Sequence, residues 1–213
     1  MDPNVLTIGF ARRATAYKRP HLLFHDVERL LKISEKGKLQ VIYAGKAHPH
    51  DDNGKRLIQG IHQFRDRTKG KIEIAFLSGY DMDLALKLVS GVDIWLNTPL
   101  RPLEASGTSG MKAAHNGVIN FSVLDGWWIE GHIEGYTGWS IGGMPTETSA
   151  SGSSDAEDAA DLYFKLENLI IPKYYDPNKS GWSRMMKNAV SKNAYYFNSH
   201  RMMRRYVTEA YIR

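Results

Sequence analysis

The run Glu104-Ala105-Ser106-Gly107-Thr108-Ser109-Gly110-Met111-Lys112 sets a carboxylate, a loop of small residues and one lysine at what reads as the start of a helix. Gly107 and Gly110 lack a Cβ, so the backbone there is free to take positive φ and to let an anion approach peptide N–H groups. Those groups would be unpaired donors at the head of a helix through Met111, Lys112, Ala113 and Ala114, where the macrodipole adds to the attraction. Such a place suits a phosphate. It is not a nucleotide P-loop, which needs four residues between its glycines and Ser or Thr after its lysine; here two residues separate Gly107 from Gly110 and Ala113 follows Lys112. A lysine beside a phosphate cradle and a carboxylate can instead form a Schiff base with an aldehyde cofactor such as pyridoxal phosphate. Taken alone, the run also reads as a plain turn ahead of a solvated helix lysine.

A second cationic segment lies near the N-terminus. Val5 to Phe10 reads as a buried strand broken at Gly9, and four cations follow within eight residues: Arg12, Arg13, Lys18 and Arg19. Open α/β sheets bind ligands at such strand ends. The alternative is a solvated basic turn leading into a helix that Pro20 can start. Further on, Gly45-Lys46-Ala47-His48-Pro49-His50 brings a lysine and histidines suited to phosphate or metal, with Asp51 and Asp52 following. A surface turn is the preferred reading there, and no metal is expected. Tyr80 in Ser78-Gly79-Tyr80 is either a ligand of the site or a core tyrosine with a wet hydroxyl. Trp127, Trp128 and Trp139 could stack on sugar but read better as packing for a turn or an interface.

The elements that must position these groups alternate between strand and helix, the pattern of a parallel sheet covered on both faces. Strands are expected near Val5–Phe10, Leu39–Ala44, Ile72–Phe76, Val92–Asn97 and Val118–Ser122, and helices near 20–36, 53–69, 81–90 and 110–116. The fold class is therefore α/β, Rossmann-like, with right-handed crossovers. Thr146–Ser154 reads as a polar loop before a helix opened by the capping box Ser154-Asp155-Ala156-Glu157. Three helices near 155–171, 182–194 and 199–212 finish the chain, the last carrying Met202, Met203, Tyr206 and Tyr211 among many cations. The 213 residues suit a single domain, with 42% apolar and 24% charged residues in ordinary globular proportion. No run reaches the roughly 20 apolar residues of a membrane span, and no signal-peptide core opens the chain, so a cytoplasmic protein without membrane contact is expected. The chain has no cysteine, which excludes disulfides, thiol catalysis and cysteine-ligated zinc. The net charge of +5 is spread without an aromatic-interleaved pattern, so small phosphorylated ligands rather than nucleic acid are the expected partners.

Arg101-Pro-Leu-Glu-Ala-Ser-Gly-Thr-Ser-Gly-Met-Lys-Ala-Ala, followed by Asn116-Gly117 and Leu124-Asp125-Gly126-Trp127-Trp128, closely resembles the pyridoxal-phosphate segment of α-glucan phosphorylases. Val5-Leu-Thr-Ile-Gly-Phe-Ala-Arg-Arg-Ala-Thr-Ala-Tyr-Lys-Arg19 resembles the family's phosphate-binding segment, and Gly45-Lys46-Ala47 and Gly79-Tyr80 match shorter family turns. The resemblance implies pyridoxal 5′-phosphate bound to Lys112. Arg12, Tyr80 and the segment Gly107, Thr108 and Ser109 would lie around the cofactor. Arg13 and Lys18 would hold the substrate phosphate. Glu104, Ser106 and the backbone at Gly107 would hold the hydroxyls of the transferred glucosyl unit. The activity so implied is phosphorolysis of terminal α-1,4-glucosyl units of a glucan by inorganic phosphate, giving α-glucose 1-phosphate with retention. Arginine suits phosphate through a bidentate fork and lysine as a point charge, so the mixture fits a site for two phosphates.

Gly-Thr-Ser-Gly-Met-Lys stands where the animal enzymes have Gly-Thr-Gly-Asn-Met-Lys, so the likeness is to the shorter bacterial and archaeal enzymes, and no animal regulatory site carries over. The resemblance runs along nearly all of the chain but implies only the C-terminal half of a glycosyltransferase-B fold, without the family's N-terminal domain. An isolated half is expected to be inactive, and its exposed last helix favours self-association into a homo-oligomer. A nucleotide-sugar glycosyltransferase of glycogen-synthase type is the alternative enzyme, although it would not need Lys112. A non-catalytic module binding cofactor or glucan is the alternative from another class.

Overall fold

Leu6, Ile8 and Phe10 fall on one face of the first strand, where they join the larger apolar core, while Ala11 joins a smaller cluster on the opposite face. This period of two with both faces buried is what a covered parallel strand requires. A computed structural model describes residues 1–144 and 154–212 of the chain. Its six strands are β1 (Leu6–Ala11), β2 (Leu39–Ala44), β3 (Glu73–Leu77), β4 (Ile94–Asn97), β5 (Ile119–Val123) and β6 (Gly138–Ile141). They form one sheet in the order β3-β2-β1-β4-β5-β6, every pair parallel. The order turns back at β1 and β4, which pair through Ile8 with Ile94 and Gly9 with Trp95. The crevice beyond the C-terminal ends of those two strands is the switch point where such sheets take ligands.

Helices α1 (Val27–Lys36) and α2 (Asp52–Thr68) lie on the large-core face, where Leu30, Ile33 and Ile61 are buried. That face is shared with α6 (Asp155–Lys165), α7 (Ile171–Tyr174) and α8 (Ser180–Asn188) through Leu162, Tyr174 and Met185. On the opposite face α3 (Met82–Gly91) and α4 (Thr108–His115) supply Leu88, Val89 and Ala113, packed with Trp95. A short α5 (Trp128–Gly131) and α9 (Ser199–Tyr206) complete the helices. No helix among the described residues is long and apolar enough to cross a membrane.

The sheet is Rossmann-like, with helices on both faces, as the alternation of apolar runs implies. The structure differs from expectation in three places. The span 20–36 is not one helix: a short 3-10 turn at Leu22–Phe24 precedes α1, because the Asp26 carboxylate accepts from Arg29 N at 2.9 Å and so sets the helix start. Strand β6 was not anticipated; it is four residues long and opens on Gly138 at φ 158°, too short a run to signal a strand. The three final helices lie where expected, and the departure there is local: each holds a wider π turn, at Leu166–Ile170, Ala189–Ala194 and Val207–Tyr211. The polar loop expected at Thr146–Ser154 lies outside the described residues except for Ser154, whose Oγ accepts from Glu157 N while the Glu157 carboxylate accepts from Ser154 N. Met202, Met203 and Tyr206 on α9 are exposed.

Candidate functional site

Arg12 follows β1 directly, and its backbone N–H donates to Ala44 O at 3.1 Å, extending the pairing with β2 by one residue. A Cβ on Gly45 would stand 2.1 Å from Arg12 O, so the Gly-Lys turn after β2 is what lets the two strand ends close up. The Arg12 side chain is buried. Its Nη1 donates to Glu104 Oε2 at 2.5 Å and its Nη2 to Ser109 Oγ at 3.4 Å. Its Nε has no hydrogen-bond partner among the described residues. Lys18, in a 3-10 turn at Ala16–Lys18, points its Nζ at the same Glu104 oxygen. Burial alone would push the Glu104 carboxyl up, but Arg12 and Lys18 together outweigh it and hold the group below the ordinary glutamate range.

The loop carrying Glu104 is fixed at its backbone. Glu104 N donates to Asp125 Oδ2 at 2.9 Å, and Trp127 N donates to Ser106 O at 2.8 Å. Gly107 then takes φ 86°, the left-handed conformation glycine allows, and α4 begins with no side chain capping it. Gly110 is pressed against the sheet side: a Cβ there would lie 2.6 Å from Asn120 Oδ1 and 2.8 Å from Trp127 Nε1. Ser109 Oγ also accepts from the buried Trp95 Nε1 at 3.2 Å, so one hydroxyl ties the α4 start to both Arg12 and the core.

Lys112 and Arg13 are exposed, and among the described residues neither side chain has a hydrogen-bond or ion-pair partner. Lys112 lines a groove of about 630 Å3 with Tyr80, Leu86, Val89, Thr108 and Ser109. Burial pushes the Tyr80 hydroxyl up, with the Arg12 charge opposing it. The groove thus joins an amine, an uncapped helix start, a buried guanidinium neighbour and apolar walls. That donor set suits a planar aldehyde cofactor carrying a phosphate: Lys112 offers an exposed amine, the start of α4 offers N–H groups that no side chain caps, and the buried Arg12 Nε beside it has no acceptor among the described residues.

Arg12, Lys18, Glu104 and Ser109 are brought into direct contact, Tyr80 and Thr108 share the groove with Lys112, and Ser106 is exposed on the loop. Arg19 does not belong to the cationic cluster. At φ 45° it turns inward, donating to Thr98 O and Pro99 O at 2.9 and 3.0 Å and pairing with Asp155 and Asp158 at 2.8 and 2.6 Å. It fastens α6 to the segment after β4. His48 Nδ1 accepts from His50 N at 3.2 Å and Asp51 caps α2, and no group of three or more metal-binding side chains occurs among the described residues. Sequence reasoning missed Trp95 and Asp125 as supports of the site; the Asp125-Gly126 pair signalled a turn, but nothing local shows which loop its carboxylate holds.

The model of the carbohydrate phosphorylase family matches residues 2–169. The glycogen phosphorylase of Aquifex aeolicus is 48% identical over 217 residues, covering 99% of this chain and 31% of that relative. The maltodextrin phosphorylase of Thermococcus litoralis is 46% identical over 99% of this chain and 25% of its own length. A Mycobacterium tuberculosis glycogen phosphorylase is 44% identical with the same coverage, 99% and 25%. The chain therefore spans between a quarter and a third of the length of the curated relatives it matches.

Proposed function

The chain belongs to the carbohydrate phosphorylase family, and on that premise we propose that it is the phosphate- and cofactor-binding half of an α-glucan phosphorylase. The reaction is transfer of a terminal α-1,4-linked glucosyl unit to inorganic phosphate, releasing α-glucose 1-phosphate with its anomeric configuration retained. The glycosidic C1–O bond breaks, the leaving oxygen takes a proton from the substrate phosphate, and a phosphate oxygen then bonds to C1. Arg13 and Lys18 hold the substrate phosphate, and their charges let it sit close to a second phosphate that would otherwise repel it. Glu104 and Ser106 bind hydroxyls of the glucosyl unit, a carboxylate being the stronger acceptor for them.

Pyridoxal phosphate is the cofactor of this reading, held by Lys112 with Tyr80, Arg12 and the Gly107-Thr108-Ser109 segment. Its 5′-phosphate supplies a group with a second pKa of about 6, able to exchange a proton near neutrality. Lys112 acts as an anchor, and Arg12 as the cation that keeps the phosphate end in place.

The observation that carries the reading is the meeting of Arg12, Lys18 and Glu104 beside the uncapped start of α4, at the switch point of the sheet. The family membership decides against the nucleotide-sugar glycosyltransferase alternative. The test is phosphorolysis of maltoheptaose with the 213-residue chain alone and after adding the N-terminal remainder of the Aquifex aeolicus relative. The proposal expects no glucose 1-phosphate from the chain alone and turnover on complementation, lost again with Arg13→Ala. Complementation without turnover, with both pieces folded and bound, contradicts it.

A further inference from the structure

Glu104 has partners here that differ from those its sugar-binding role demands. To accept from a hydroxyl of the glucosyl unit its carboxylate must face substrate, yet one oxygen takes both Arg12 Nη1, at 2.5 Å, and Lys18 Nζ. The chain's own anion thus sits on cations that the reading above gives to phosphates. We propose that the Glu104 carboxylate is a resident competitor for the anion site, which phosphate displaces on entry and so releases to accept the sugar hydroxyl. The inference rests on the proposed assignment of the phosphate and sugar sites.

Three features of the site support an exchange rather than a permanent ion pair. The Glu104 backbone is pinned by Asp125 and its neighbour Ser106 by Trp127, so the carboxylate can leave by side-chain rotation while the loop keeps its shape. Arg12 Nε has no partner while Glu104 is in place, so the carboxylate does not satisfy the guanidinium. A phosphate brings more acceptor oxygens and more charge than one carboxylate, so it competes well for Lys18. Because the carboxylate is freed only when an anion takes its cations, phosphate and glucan would each raise the affinity for the other.

The test is calorimetric titration of inorganic phosphate into the wild-type chain, Glu104→Gln and Lys18→Met. If the wild-type site is open in about one molecule in ten, its apparent affinity is weakened about tenfold, so Glu104→Gln should bind phosphate about tenfold more tightly. Equal or weaker binding by Glu104→Gln overturns the competition. If phosphate binds both equally and Lys18→Met abolishes it, the competition falls and the phosphate site stands; if phosphate binds neither, both readings fall. A second measurement needs no substitution. In wild-type chain carrying 13C-labelled glutamate, the Glu104 carboxyl resonance should shift when phosphate saturates the site, as Lys18 is withdrawn from it. A resonance unmoved at saturation overturns the proposal, and this readout separates displacement from simple repulsion at a distance.

Discussion

Gly110 and Gly60 are both helix glycines, and replacing each by alanine should move stability in opposite directions. In a helix interior alanine is favoured over glycine by about 1 kcal/mol, a gain that applies in full at Gly60 and only in part at Gly110, the third residue of α4. At Gly60, within α2, a Cβ meets nothing within 4 Å, and Gly60→Ala should stabilise by about 0.5–1 kcal/mol. At Gly110 the Cβ would lie 2.6 Å from Asn120 Oδ1, 2.8 Å from Trp127 Nε1 and 3.1 Å from Trp127 Cζ2. Neither neighbour yields easily. Asn120 is fully buried with its Nδ2 donating to Gly110 O at 3.0 Å, and Trp127 is packed against Trp128 and Phe197. Overpacking of this kind costs about 1–3 kcal/mol, and set against the helix gain it leaves a net loss of up to about 2 kcal/mol. Urea unfolding of the two variants beside wild type measures the difference, and tryptophan fluorescence should report the displaced indole in Gly110→Ala alone. Gly110→Ala as stable as Gly60→Ala, with unchanged fluorescence, would refute the close packing of Gly110 against Asn120 and Trp127.

Ser109→Ala should cost about 1–3 kcal/mol in urea unfolding, since it strips the acceptor from the buried Trp95 indole N–H; a neutral result would mean that the indole finds another partner. Arg19→Met should destabilise by about 3 kcal/mol in the same assay, because Asp158 is buried and loses its guanidinium partner, whereas Arg13→Ala should leave stability within about 0.5 kcal/mol. Glu134 is pushed up by burial but held down to about 2 by hydrogen bonds from His132 and Ser140 and by the Lys165 charge. Its folded pKa lies below the usual 4.5, so the stability it contributes is present above that value and lost as pH falls towards 2. Glu134→Gln should therefore flatten the acid limb of a stability-against-pH curve between those limits, and an unchanged slope would contradict the assignment.

The strands β1, β2 and β5 were legible because each is an apolar run with both faces buried, and the parallel order follows from the helices between them. The segment around Lys112 stood out as a candidate site because glycines, a carboxylate and a lysine crowd into one short run. What joins that segment to Arg12 was not legible, since Trp95 and Ser109 are 14 residues apart and Arg12 and Glu104 are 92 apart. Such contacts depend on which strands neighbour each other at the switch point, and that is a property of the whole sheet. Arg19 shows the same limit in reverse. Its sequence neighbours are candidate site residues, yet a left-handed backbone at φ 45° carries its side chain into the interface with α6. β6 escaped notice because Gly-Trp-Ser-Ile signals a turn as strongly as a strand, and only pairing with β5 decides between them.

The proposed role of Lys112 is to anchor pyridoxal phosphate in the groove beside α4. The most direct measurement is the absorbance spectrum of the purified chain with added pyridoxal phosphate, followed by borohydride reduction and peptide mapping, for wild type and Lys112→Ala. A Schiff-base band and a pyridoxyl group confined to the peptide containing Lys112 are expected, both absent in the variant. A label scattered over surface lysines, or one retained in Lys112→Ala, would contradict it.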